Sequence, residues 1–123
     1  MRVGWVVACL LGLSIQTIRA LNLTDPTPGS TLFSNTTDLF EWQLDNPADA
    51  NDGGWLHILL VSDASASDVV ATLKEWEPIS FMRDLIHIPT NLSGQYYIML
   101  NVTSSKENSQ ISGPYIIRKS QDI

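Results

Sequence analysis

The chain has 123 residues, with thirteen acidic and seven basic side chains and a formal charge of −6. An acidic surface is repelled by phosphate backbones and anionic headgroups, which sets aside nucleic-acid binding and polybasic membrane attachment. The length allows one domain with one core and is short for two.

Met1-Arg2 is followed by an apolar run from Val3 to Leu13 and a more polar Ser14–Ala20. A basic start, a short apolar stretch and a small residue at the cut are the layout of a secretory signal. Cleavage is expected after Ala20, giving a leader of residues 1–20 and a single domain over 21–123. The apolar run is too short for a bilayer span, which needs about 20 residues. Arg2 and Arg19 leave with the leader, so five of the seven basic residues remain against thirteen acidic ones, a formal charge of about −8. Cys9, the one cysteine, also leaves. The mature domain is therefore expected to fold in an oxidising compartment without a disulfide or thiol chemistry. The expected location is secreted, either extracellular or in a cell wall.

Four Asn-x-Ser/Thr sequons follow, at Asn22, Asn35, Asn91 and Asn101. Beside a signal peptide they predict a glycoprotein.

Leu21–Thr24 alternates and then meets Asp25-Pro26-Thr27-Pro28-Gly29-Ser30, so a short edge strand is expected before a turn. In the strand predicted over 38–44, Phe40, Trp42 and Leu44 fall on one side and Glu41 and Gln43 on the other. That is the period of a half-buried strand, with Trp42 as core. Asp45–Gly54 is an acidic, turn-rich loop, and Trp55–Val61 is a nearly continuous apolar run that predicts a central strand. Propensity leaves 68–77 undecided. Val69, Leu73 and Trp76 have helical spacing before Pro78, but Val69–Leu73 is rich in β-branched residues. Further strands are expected over Phe81–Ile88, with Ile86 and Ile88 inward, and over Gln95–Val102. In the latter Tyr96, Ile98, Leu100 and Val102 share a face and Asn101 points the other way. Thr103–Ser112 reads as a polar hairpin loop, and Pro114–Arg118 as the last strand. About seven short strands separated by turn residues point to an all-β, immunoglobulin- or fibronectin-III-like antiparallel sandwich without a disulfide.

The pattern Leu21-x-Leu23-x-x-Pro26-x-x-Gly29-x-x-Leu32, then Phe40-Glu41-Trp42, resembles the opening of the KNH-type domain. This domain stands at the N-terminus of fungal secreted, Ser/Thr-rich, often GPI-anchored proteins and in fungal cell-wall synthesis proteins. The similarity continues through Val69–Leu73, Ile86-His87-Ile88-Pro89, Gly94–Leu100 and Ser112–Ile117. The resemblance implies a fibronectin-like sandwich, favours strand over 68–73, and implies a link to cell-wall β-glucan assembly without an established enzyme activity. No Ser/Thr-rich stalk or hydrophobic tail follows the domain before Ile123, so a GPI anchor is not expected.

Reactive chemistry finds little support in the residues. His57 and His87 lie on separate strands with no spaced ligand partner, and no metal site or cofactor is expected. Leu21, not histidine, stands at the expected mature N-terminus, so a copper histidine brace is not expected. Asp49-Ala50-Asn51-Asp52-Gly53-Gly54 resembles a calcium loop. However, Gly53 stands where a third side-chain oxygen belongs and Leu60 where the bidentate glutamate belongs, so a solvated turn is expected. Glycoside hydrolysis needs two carboxyls across a cleft, one with a raised pKa. Apart from Glu41 and Asp84, nearly all the acids fall in loops or at strand ends, where water keeps them ionised. There is no G-x-S-x-G elbow. Catalytic residues are therefore expected to be absent.

The aromatic residues offer more. Trp55 follows the acidic loop and Trp76 lies between Glu75 and Glu77. Exposed indoles beside acceptors such as Asp49 and Asp52 suit a pyranose ring. Taken with what the resemblance implies, the expected function is a secreted, non-enzymatic module of the fungal cell wall that binds glycan or wall glycoprotein. The alternatives are a polysaccharide-acting enzyme or metal-dependent module, and an effector-like secreted interaction protein. Outward stacking of Trp55 and Trp76 would favour the first, and a pocket with two close carboxyls the second.

Overall fold

The computed structural model describes residues 19–44, 54–103 and 107–119. The expected leader lies outside these residues up to position 18, as does most of the acidic loop with Asp49 and Asp52.

The described chain forms nine strands: β1 (Arg19–Asp25), β2 (Thr31–Phe33), β3 (Thr37–Leu44), β4 (Trp55–Val61), β5 (Val69–Pro78), β6 (Arg83–His87), β7 (Gly94–Thr103), β8 (Glu107–Asn108) and β9 (Gln110–Arg118). They make a four-stranded sheet in the order β6-β3-β1-β8 and a five-stranded sheet in the order β2-β9-β7-β4-β5. Without the short β2 and β8, the first, second and fifth of the seven remaining strands form one sheet. The third, fourth, sixth and seventh form the other. This is an immunoglobulin-like grouping with the fourth strand on the sheet of the last two. The expected all-β sandwich is what forms.

The departures lie in the short pieces. β2 and β8 were not expected, and both pair in parallel, β2 with β9 and β8 with β1, so the sandwich is not wholly antiparallel. Arg19 and Ala20, the two residues before the expected cut, pair with β8, and among the described residues the rest of β1 pairs with β3 alone. The undecided 68–77 stretch is the strand β5. Phe81 is not in the strand expected there; Ile79–Phe81 is a single 3-10 turn and β6 starts at Arg83. β9 begins four residues before Pro114. Pro114 is accommodated because the β7–β9 register shifts beside it, between Tyr96 and Ile98, and a proline without an N–H sits at such a bulge at little cost.

Alternation fills the core. Leu21, Phe40, Trp42 and Ile86 from one sheet meet Leu56, Ile58, Leu60, Ile98, Leu100 and Ile117 from the other, all buried. Each such aliphatic or aromatic side chain contributes about 1.5–3 kcal/mol. Trp42 is 1% exposed, and its indole N–H donates to the Ile79 carbonyl at 2.9 Å. The Trp42 backbone N–H donates to the Met82 carbonyl at 3.0 Å. Both bonds hold the turn by which the chain crosses from the five-stranded sheet to the four-stranded one. Tyr115 is likewise buried, and its hydroxyl donates to the Pro26 carbonyl at 2.6 Å across 89 residues of sequence. Burial pushes the phenol's pKa up. In the β4–β5 loop the Asp63 carboxylate accepts hydrogen bonds from the backbone and hydroxyls of Ser65 and Ser67, which lower its pKa to about 2.

Candidate functional site

β4 is interior to its sheet, so its side chains leave alternately toward the core and toward the outer face. Leu56, Ile58 and Leu60 go in, which sends Trp55, His57 and Leu59 out. On β5 a simple alternation from Ala71 and Leu73, which pack on the core, would make Trp76 an outward neighbour of Lys74 with no reason to approach β4. A bulge brings it there. Leu56 pairs with Glu77 and Ile58 with Lys74, so Glu75 and Trp76 together stand opposite His57. Trp76 takes φ +56 in the left-handed region, which is rare for a bulky side chain.

The result is a compact aromatic cluster on the outer face. Trp76 and Trp55 meet edge to face with ring centroids 6.0 Å apart, and Trp76 and His57 with centroids 4.7 Å apart. Trp55 is 38% exposed and Trp76 60% exposed. The structure therefore brings together the two indoles singled out in the sequence and adds His57. The signal for His57 was legible, since it shares the parity of Trp55. Asp49 and Asp52 lie outside the described residues.

A left-handed backbone at an indole costs roughly 1 kcal/mol that glycine would not incur. Trp76→Gly is accordingly expected to be about 1 kcal/mol more stable than Trp76→Ala. In a regular strand the order is the reverse, so paired denaturant midpoints decide the point. An alanine variant as stable as the glycine variant would remove the strain.

Among the described residues a close carboxyl pair and a cleft lie apart. A cleft of about 200 Å³ is lined by Thr24, Glu41, Trp42, Gln43, Met82 and Arg83. That is below the range of roughly 300–1,000 Å³ usual for ligand pockets, and its carboxylate, Glu41, lies 3.9 Å from the Arg83 guanidinium. The close carboxyl pair is elsewhere. Glu77 is 1% exposed although it lies at a strand end, which corrects the expectation that acids at such positions are solvated. Burial, then the Asp84 carboxylate that shares a hydrogen bond with it, push Glu77 up to about 7. Asp84 is held below its ordinary value, first by that same bond, and its Oδ2 lies 3.6 Å from Lys74 Nζ. Glu77 Oε2 is buried without a partner. This pair sits at the seam between β5 and β6, outside the cleft. Among the described residues no group of three His, Cys, Asp or Glu side chains is placed to hold a metal ion.

The sequons divide by position. Asn35 and Asn91 are exposed in turns with φ +60 and +64, at the end of the sandwich away from Trp55. Asparagine tolerates that conformation better than most residues, which gives both a structural reason to be there. Asn22 is exposed on β1, and Asn101 is half-buried on β7.

No known family model matches the chain, and no curated protein sequence does. Among solved structures, it is similar to the fibronectin(III)-like modules of Clostridium thermocellum CbhA. The identity is 11% and the TM-score 0.48, with 90% of this chain and 52% of that chain covered. The chain thus spans about half the length of that structure. It is also similar to the PmoD soluble domain from Methylocystis sp. ATCC 49242 (Rockwell), at 10% identity and TM-score 0.47, with 81% of this chain and 89% of that chain covered.

Proposed function

We propose that the protein is a secreted, non-enzymatic β-sandwich module of the fungal cell wall, of the KNH type, that binds a wall glycan or the glycan of a wall protein. The observation that carries this reading is the meeting of two exposed indoles, Trp55 and Trp76, on one outer surface. Apolar faces of that size, gathered by a strained bulge, have no role in the core. Strain of this kind is retained where the surface it builds is used. The rings stand at 83° to each other. A perpendicular pair offers a corner for a single glucan strand or chain end, whereas a flat crystalline face would call for coplanar rings. β-Glucan assembly is the setting that the sequence resemblance supplies. The acidic surface suits a neutral polymer better than an anionic one.

The test is retention of the glycosylated mature protein on insoluble β-glucan and on chitin, with a soluble β-glucan fragment as competitor. Trp55→Ala and Trp76→Ala are each expected to weaken retention about tenfold or more, as loss of an anchoring indole does. Retention on no wall polymer, with the N-linked sugars present or absent, would remove the glycan reading. Release of such a protein to the medium would favour an effector-like interaction protein.

A further inference from the structure

The Asn101 sequon faces the aromatic cluster. Across the β4–β7 pair Asn101 stands opposite His57, and Thr103 opposite Trp55. Directly opposed residues share a face, with Cβ atoms about 4.5–5.5 Å apart. Both the acceptor asparagine and the hydroxyl residue of the sequon therefore border His57 and Trp55, whose rings meet that of Trp76 on the next strand. The asparagine is also oriented, since Ser109 Oγ donates to its Oδ1 at 3.2 Å while accepting from the Val102 N–H at 2.9 Å. Among the described residues Asn101 Nδ2, the atom an N-linked sugar would use, has no hydrogen-bond partner. Thr103 Oγ1, beside it, is buried with none. Asn35 and Asn91 lie at the far end of the sandwich and have no aromatic cluster beside them.

We infer that Asn101 carries an N-linked glycan whose first N-acetylhexosamine lies over His57 and the two indoles, so that the chain's own sugar covers the surface that would otherwise take a wall glycan. In the modification, Asn101 Nδ2 forms a bond to the sugar C1 of a lipid-pyrophosphate-linked oligosaccharide. The C1–O(phosphate) bond breaks, the lipid pyrophosphate leaves, and the amide proton passes to solvent. The inference rests on the secretion and sugar-binding reading above and adds its regulation: the module is open for wall polymer where Asn101 is bare and self-covered where it is occupied. A sugar covering the cluster about nine-tenths of the time would weaken apparent affinity for an external glycan about tenfold.

The test uses the mature protein secreted from a eukaryotic host. Glycopeptide mass spectrometry should find Asn101 occupied. Acrylamide quenching of tryptophan fluorescence, in which the buried Trp42 is a constant background, should rise in Asn101→Gln and remain unchanged in Asn91→Gln. Thr103→Val, which removes the sequon but keeps Asn101 and its bond to Ser109, should behave as Asn101→Gln does. This guards against loss of that bond as the cause. Retention on insoluble β-glucan should rise about tenfold in both sequon variants. A bare Asn101, or an occupied one whose removal leaves quenching unchanged, overturns the inference. If quenching responds as expected but no variant is retained on any polymer, the self-covering stands and the wall-glycan reading falls. If Trp76→Ala abolishes retention while the sequon variants match the parent in quenching and retention, the wall-glycan reading stands and the self-covering falls.

Discussion

Trp42→Ala is expected to remove most of the domain's stability. Truncating a fully buried Trp costs about 3–5 kcal/mol, and a domain of this size has roughly 5–15 kcal/mol in total. The upper end applies here. Trp42 packs between the sheets and its N–H donates to the buried Ile79 carbonyl; alanine would lose that bond, worth about 0.5–1.5 kcal/mol, although the Met82 N–H still donates to the same carbonyl at 3.2 Å. Trp42→Phe separates the two effects, because it restores much of the volume while still losing the indole's hydrogen bond. The expected order of denaturant midpoints is wild type, then Trp42→Phe, then Trp42→Ala, with the last close to unfolded at physiological temperature. An alanine variant within 1 kcal/mol of wild type would show that the indole does not join the sheets. No disulfide can compensate, since Cys9 is the only cysteine in the sequence.

The consequence of Trp42 was readable from the chain because its strand is regular. Phe40, Trp42 and Leu44 keep one parity, as do Leu56, Ile58 and Leu60, and their burial follows it. β2 could not be read the same way. Three residues carry too little periodicity, and a parallel partner in β9, more than eighty residues away, leaves no hairpin signature. β5 resisted for a different reason. Its register slips between Leu56 and Ile58, again between Ile58 and Leu59, and again between Leu60 and Val61, so no single period describes it. The same slips decide the candidate site. The slip between Leu56 and Ile58 brings Trp76, outward by parity, against His57 and Trp55, and that approach is not a property of composition. Asn101 was correctly assigned to the face opposite Leu100, but that His57 stands across from it follows only from the pairing of β4 with β7.

The buried carboxyl predicts the direction of the pH response. Glu77 keeps its proton in the folded state up to about 7, against an ordinary value of 4.5. As pH rises between those two values, the unfolded chain releases the proton first. The folded state then binds more protons, and stability falls with rising pH across that window. Above it the loss is complete, and a gap of this size corresponds to about 3 kcal/mol as an upper figure. Asp84 acts in the opposite sense. Its lowered value means that its stabilising contribution, present above its ordinary 3.8, is lost as pH falls. Lys74, which faces the pair, favours the ionised forms of both acids, so it limits the upward shift of Glu77 and adds to the downward shift of Asp84. Stability from this cluster should therefore peak near pH 4–5, at the acid edge of the range of about 5–8 in which proteins are usually most stable. Glu77→Gln preserves the shape and a donor toward Asp84 but cannot ionise. It is expected to match wild type near pH 4.5 and to exceed it by up to about 3 kcal/mol at pH 8, flattening the profile of melting temperature against pH. Parallel profiles for the two proteins would mean that Glu77 ionises normally and that the β5–β6 seam is open to water.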